Sequence, residues 1–250
     1  MYGWKTEDKY IPNKGEERGV RSQAKGAWKK GEEKEEKAVD KGLYKRKKKL
    51  IVALANSFLS NEPSLREKTW KFVYLLRSLS IYRVDKVIFY DARDKNGCHK
   101  DSDKEMIRKI HRYYLTPPYL RRKVIPLDPY LRFVGSSPPL RLLIHSVSSK
   151  VVRGEYRQAL VLNVGKGFFE ADIGLRDIVK VKCVSSCPSE GGIVLVFISN
   201  TDPLEVIYDK SFSRKIYVGP ELGFVDNLLR LIKFFKKRNY YIIATSRYGT

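Results

Sequence analysis

A nearly continuous apolar run, Leu50 to Ala55, and a second strand-like segment of buried type, Val84 to Tyr90, flank a stretch of helical period, and no other feature constrains the fold as much. A strand that is apolar on both faces must be covered on both, which is the condition of a strand inside a parallel sheet. Between the runs, Ser64 and Glu67 stand at capping-box spacing, each placed to satisfy a free backbone N–H of the other. Leu65, Thr69, Phe72, Val73, Leu76 and Leu79 then recur at helical intervals, so the segment predicts a helix with one buried stripe. Strand, helix, strand makes a βαβ unit. The loop Asn56 to Asn61 leaves the first strand at its carboxyl end, where ligand contacts gather in open α/β sheets, and the second strand ends at Asp91 before an Asn96-Gly97 turn. A further basic helix, Asp103 to Leu115, is halted by Pro117 and Pro118.

The last stretch returns to this character. Leu222, Val225, Leu229 and Ile232, with Leu228 and Phe235 beside them, recur at helical spacing. Pro220 and Glu221 suit a first turn, and Lys236, Lys237 and Arg238 suit a last one, so a single helix over 220–238 is expected. Tyr240 to Ala244 then predicts a short strand opening into the polar loop Thr245-Ser246-Arg247-Tyr248-Gly249.

Between these parts the prolines Pro126, Pro129, Pro138 and Pro139 forbid long helices. Arg141 to Val147, Tyr156 to Val164, Phe168 to Ile173 and Ile178 to Val184 read as strands, with Gly165-Lys166-Gly167 as a tight hairpin turn. These segments predict a small β-barrel of the OB kind over 117–186. Ile193 to Ser199 reads as a buried strand that brings the chain back to the α/β part, which then comprises 50–116 and 187–250. Residues 1–49 have Gly-broken charge runs and no apolar period, and are expected to form a disordered basic arm.

The formal charge of +22 points to a polyanionic partner, nucleic acid before an anionic membrane surface. Residues 1–50 carry 16 Lys and Arg against 9 Asp and Glu, so +15 remains on the other 200 residues and the basicity is not confined to a tail. Around the expected barrel, Arg121, Arg122, Lys123, Arg132, Arg141, Lys150, Arg153, Arg157 and Lys166 interleave with Tyr119, Tyr130, Phe133, Tyr156 and Phe168. Cations that track phosphates beside rings that stack on bases are what barrels of this kind use to hold single-stranded or looped RNA. The run Lys45 to Lys49 is read evenly as solvated charge or as a phosphate grip.

Other classes have little support. Three cysteines give no disulfide framework and fit a reducing, cytoplasmic compartment, and their spacing predicts no metal site. His111 and His145 stand in no nucleophile or carboxylate signature, and the ordinary Gly-rich phosphate loops are missing. No apolar run has the roughly 18 residues of a spanning helix.

In their order, LIVALANSFLSNEPSLREKTWKFVYLL, VDKVIFYDA, PPYLRRKVIPLDPYLRFVGSSPPL, LVLNVGKGFFEADI, IYVGPELGFVDNLLRLI and IIATSRYGT resemble the SPOUT-class RNA methyltransferases, the α/β-trefoil-knot enzymes, in the branch with an OB-like insertion. The resemblance implies a knotted α/β domain, a homodimer, S-adenosylmethionine as cofactor, and methyl transfer to a nucleotide of rRNA or tRNA. It places Ser57, Asn61 and Arg66 on the polar first loop and helix start, and makes Thr245, Ser246 and Gly249 cofactor contacts. Arg66 and Arg247 become the candidate catalytic residues, while Arg121, Arg122, Lys123, Arg132, Arg141 and Lys166 become the RNA contacts. The family pattern continues with two Gly-rich pieces that this sequence does not show, so an incomplete cofactor pocket is expected. The competing class is an RNA-binding protein with a relic or truncated methyltransferase fold and no catalysis.

Overall fold

The structure is a computed structural model that describes residues 43–91, 101–145 and 150–245, with only the backbone described at Asp101. Most of the expected basic arm, the Asn96-Gly97 turn, and Ser246 to Gly249 lie outside the described residues.

The βαβ reading holds. β1 (Ile51–Ala55) runs into a 3-10 turn over Asn56–Leu59 and then α1 (Leu65–Ile81). The capping box forms as expected: the Glu67 N–H donates to Ser64 Oγ at 3.2 Å, and the Ser64 N–H to Glu67 Oε2 at 3.1 Å. Such a cap stabilises a helix by about 1 kcal/mol. Phe72, Val73, Leu76 and Leu79 turn inward from α1. β2 (Lys86–Tyr90) pairs parallel with β1, Ile51 opposite Lys86 and Ala55 opposite Tyr90. α2 (Asp101–Leu115) adds Met106, Ile107, Ile110 and Tyr114 to the core formed by α1, Val87 and Phe89. After Pro117 comes the short α3 (Pro118–Val124). Val134, Leu140, Leu142 and Ile144 then pack on this same α/β core. Arg141 to His145 form no strand, although Leu140, Leu142 and Ile144 are buried in alternation. The alternation here serves packing on helices rather than a ladder.

Five strands follow and close into a barrel in the order β3-β4-β5-β7-β6. They are β3 (Tyr156–Val164), β4 (Phe168–Asp172), β5 (Val179–Cys183), β6 (Ile193–Thr201) and β7 (Leu204–Tyr208). Ala159, Val161, Phe169, Ala171, Val179, Val181, Val196, Ile198 and Val206 fill it. The hairpin at Gly165 to Gly167 forms as expected, with the Gly165 N–H donating to the Phe168 carbonyl at 2.9 Å. Ile193 to Ser199 does not return to the parallel sheet. As β6 it pairs antiparallel with β3 and β7, because barrel edges left open by β3 and β7 offer it a full ladder. The cysteine reading is also corrected: Cys183 and Cys187 form a disulfide, Cα to Cα 5.5 Å, across the turn that follows β5. A cysteine count cannot reveal a pair brought together by local turn geometry.

The parallel sheet resumes only after α4 (Phe212–Lys215). β8 (Glu221–Val225) pairs parallel with β2, Leu222 opposite Val87 and Phe224 opposite Phe89, giving the order β1-β2-β8. The single helix expected over 220–238 is therefore a strand followed by α5 (Leu228–Lys237), whose Asn227 cap accepts from the Leu229 N–H at 2.7 Å. Leu222, Phe224 and Gly223 also fit a period of two, and the open edge of β2 decides between the two periods. Gly219, at φ 103°, lies buried where a Cβ would overlap the Leu115 side chain, so glycine here answers to packing and not to a cofactor. Tyr240 to Ala244 make no strand. Asn239 closes α5 at φ 54° and the Tyr240 N–H returns to the Phe235 carbonyl at 3.1 Å, which turns the chain back along the helix end. Tyr241 and Ile243 are left 91% and 74% exposed. At the other terminus, the end of the expected arm is anchored: the Tyr217 N–H donates to the Leu43 carbonyl at 2.8 Å and the Lys45 N–H to the Lys215 carbonyl at 2.7 Å.

Candidate functional site

The carboxyl ends of β1 and β2 place a polar cluster at the edge of the apolar core. Buried Asn56 donates from Nδ2 to the Asp91 carboxylate, Lys104 Nζ lies 3.5 Å from the same carboxylate, and the Asp91 N–H donates to the Val225 carbonyl at 3.1 Å. Beneath it Phe58 stacks on Phe89 at 5.2 Å, and Phe89 meets Phe224 at 5.7 Å. The Ser57 carbonyl accepts the Ser60 N–H at 2.9 Å and closes the turn, while Asn61 is exposed. Arg66 is exposed on the first turn of α1, with its guanidinium 4.7 Å above the Trp70 ring. Of the expected cofactor contacts only Thr245 is described, and it is exposed beside Ile243. Arg247 lies outside the described residues together with Ser246 and Gly249.

The expected RNA contacts fall in four places. Arg121 is half-buried: its Nε donates to the Tyr113 and Thr116 carbonyls at 3.1 and 3.0 Å, and its guanidinium lies 4.5 Å from the Tyr113 ring. That arginine terminates α2. Arg122 is exposed beside it, and exposed Lys123 pairs with the buried Asp172 of β4. Arg132 and Arg141 are exposed on the segment that packs against α1, with Arg141 lining a cavity of about 400 Å³ beside Arg77 and Leu140. Lys166 is exposed at the tip of the β3–β4 hairpin. Arg157, expected on the rim, is only 1% exposed and bonds Glu155 at 3.0 Å and the Lys150 carbonyl at 3.2 Å. A buried guanidinium so engaged is structural.

Two cations that the charge pattern did not single out complete the hairpin face. Lys180 Nζ stands 3.8 Å from the centre of the Phe168 ring, and Lys182 is the ladder partner of Phe168. Both lysines are exposed, whereas Val179 and Val181 point inward. The signal was present in the strict alternation Val179-Lys180-Val181-Lys182. Lys166, Phe168, Lys180 and Lys182 thus form a basic face with a ring at its centre, opposed on the same strands by Glu170. The histidines do not join it. His145 is buried against the Leu115 carbonyl at 3.2 Å, and burial, aided by the Arg121 charge, holds its imidazole down at about 4. His111, 2.8 Å from the Pro220 carbonyl, is also lowered by burial. Among the described residues no group of His, Cys, Asp and Glu is placed to hold a metal ion, and no helix is long and apolar enough to cross a membrane.

Fold and surface define a mixed α/β protein that carries a closed five-stranded barrel with a basic face between the second and third strands of a parallel sheet. Over residues 49–250 the chain matches the family described as "Putative RNA methyltransferase", and it belongs to that RNA methyltransferase family. It is similar to an uncharacterized protein of Haloarcula marismortui, 28% identical over 201 residues that cover 79% of this chain and 68% of the relative. An uncharacterized protein of Halobacterium salinarum is likewise 28% identical over 201 residues, covering 79% of this chain and 67% of the relative. A Saccharomyces cerevisiae protein described as "Putative methyltransferase" is 25% identical over 119 residues, 46% of this chain and 38% of its own length.

Proposed function

We propose that the chain serves S-adenosylmethionine-dependent methyl transfer to a nucleotide of rRNA or tRNA, as a SPOUT-class enzyme whose barrel is an OB-like RNA-binding insertion. The observation that carries this reading is the family match across 49–250 on a chain whose barrel presents Lys166, Lys180 and Lys182 around Phe168. The lysines and Arg122 bind phosphates and the ring offers a base a stacking surface, so these residues orient the RNA. Orientation matters because direct displacement at a methyl group needs the nucleophile held in line and no covalent enzyme intermediate. Arg66, from its place above Trp70, and Arg247 would hold substrate phosphate or developing charge. A cytoplasmic location and a second copy of the chain belong to the same reading, by resemblance to the family.

A second reading, RNA binding without catalysis, is favoured by one observation: Tyr241 to Thr245, the described part of the expected cofactor segment, stand exposed. Labelled S-adenosylmethionine, the purified chain and a pool of unmodified rRNA and tRNA separate the two. Methyl incorporation supports the first reading, and RNA binding with no incorporation supports the second. For the barrel's role, reversal of Arg122 and Lys166 to Glu should weaken RNA binding and reduce the salt slope by about 1 for each phosphate that is no longer neutralised. An unchanged slope would place the RNA elsewhere.

A further inference from the structure

We infer that a second cleft, at the amino end of the parallel sheet, is a binding site for single-stranded RNA. This rests on the reading of the chain as an RNA-acting protein and adds a site built from residues other than those of the barrel face and of the carboxyl ends of the strands. The cleft has a volume of about 740 Å³ and lies between the starts of β1, β2 and β8, the basic run before β1, α4 and the last turn of α5.

Its walls carry the two chemistries that such a ligand needs. Lys45, Lys49, Lys86, Arg214 and Arg238 line it, against the two carboxylates Asp85 and Glu221. Asp85 is already engaged, accepting the Leu50 N–H at 2.8 Å, and Glu221 lies 3.8 Å from Lys86. Lys49, Arg214 and Arg238 have no acidic partner among the described residues, so their charge faces the cleft unbalanced. Cations left unpaired around a concave surface raise the local concentration of a polyanion and bind its phosphates with release of counterions.

The opposite wall is aromatic. Phe234 and Phe235 of α5 and Tyr240 just after it line the cleft, with Phe234 46% exposed although an amphipathic helix has an apolar face to bury. The Arg238 guanidinium stands 4.2 Å above the Phe234 ring, and Phe235 meets Tyr240 at 5.0 Å. A ring with a cation above it, beside further cations, is the arrangement that receives an unpaired base while its phosphate is held. A duplex keeps its bases stacked inside and could not use these rings. The run Lys45 to Lys49, evenly balanced between solvent and phosphate on sequence alone, acquires a place. Lys45 is fixed at the cleft by its bond to the Ser213 carbonyl at 2.9 Å, and Arg46 to Lys49 stay exposed along the approach.

The test uses the full chain and a fluorescein-labelled dodecauridylate, with binding read by anisotropy and contacts by ultraviolet crosslinking and peptide mass mapping. Lys49→Glu with Arg238→Glu should weaken binding about tenfold or more and lower the salt slope by about 1.4. Phe234→Ala should weaken it about fivefold or more with the salt slope unchanged. Crosslinks should fall on Phe234, Phe235 or Tyr240, and duplex RNA should compete poorly. All three substituted side chains are at least partly exposed, and an unchanged melting temperature certifies the variants. Crosslinks confined to β3 through β5, with the cleft variants at wild-type affinity, overturn the cleft and leave the barrel reading standing. Absence of any binding by the wild-type chain overturns both. Capture by phosphatidylserine vesicles that the oligonucleotide does not displace overturns the cleft as an RNA site.

Discussion

Acidification should destabilise this protein through His145 well before its carboxylates titrate. The imidazole is buried, and burial holds it at about 4 in the folded chain against 6.5 for an exposed histidine. The sign follows from proton uptake: between those values the unfolded chain binds the proton more readily, so stability present above pH 6.5 is lost as the pH falls. The loss saturates once the folded form is protonated too, below about 4. A gap of about 2.5 pH units corresponds to a full loss of about 3 kcal/mol, of which about 2 kcal/mol is gone by pH 5. Urea unfolding of the wild type and of His145→Gln measures it, at half-unit steps from pH 7.5 to 4.5. Glutamine keeps an N–H for the Leu115 carbonyl but does not titrate here, and His111 contributes equally to both proteins. The wild-type curve should fall toward the variant's by about 2 kcal/mol between pH 7 and pH 5. Parallel curves over that range would refute the reasoning, as would an imidazole resonance that titrates near 6.5 in the folded protein.

Two further outcomes follow from packing. Arg157→Leu should cost about 3 kcal/mol in urea unfolding, because it removes a buried guanidinium from Glu155 and from the Lys150 carbonyl, yet leave oligonucleotide affinity within twofold; a stable variant with weak RNA binding would return Arg157 to the barrel rim. Gly219→Ala should cost about 2–4 kcal/mol, since the new methyl group meets Leu115 at a backbone angle of φ 103°; a neutral effect would show that the α2–β8 junction yields easily.

Local patterns sufficed where two independent signals coincided. The capping box and the stripe from Leu65 to Leu79 each identify α1, and the apolar residues of Leu50 to Ala55 and Val87 to Tyr90 suit neighbouring strands, so the βαβ unit was legible in the residues themselves, although β1 lies at the sheet edge half-buried and only β2 is buried at Val87 to Phe89. The hairpin at Gly165 to Gly167 was legible for the same reason: its glycines and the flanking strand period agree. Net charge likewise pointed to a polyanion, because charge is a sum over side chains and needs no fold. What the sequence could not settle was which of two compatible periods a segment obeys and which neighbour it pairs with. Glu221 to Val225 fits a helix or a strand, and only the open edge of β2 makes it a strand. Ile193 to Ser199 is apolar enough for either sheet, and the edges of β3 and β7 claim it for the barrel. The same held for the site. Arg121, Arg122, Arg157 and Lys180 are equivalent as single positive charges, yet the fold ends a helix with the first, leaves the second to solvent, buries the third against Glu155 and sets the fourth over Phe168. A cation's partner is chosen by distance in space, and distance in space is a property of the tertiary structure alone.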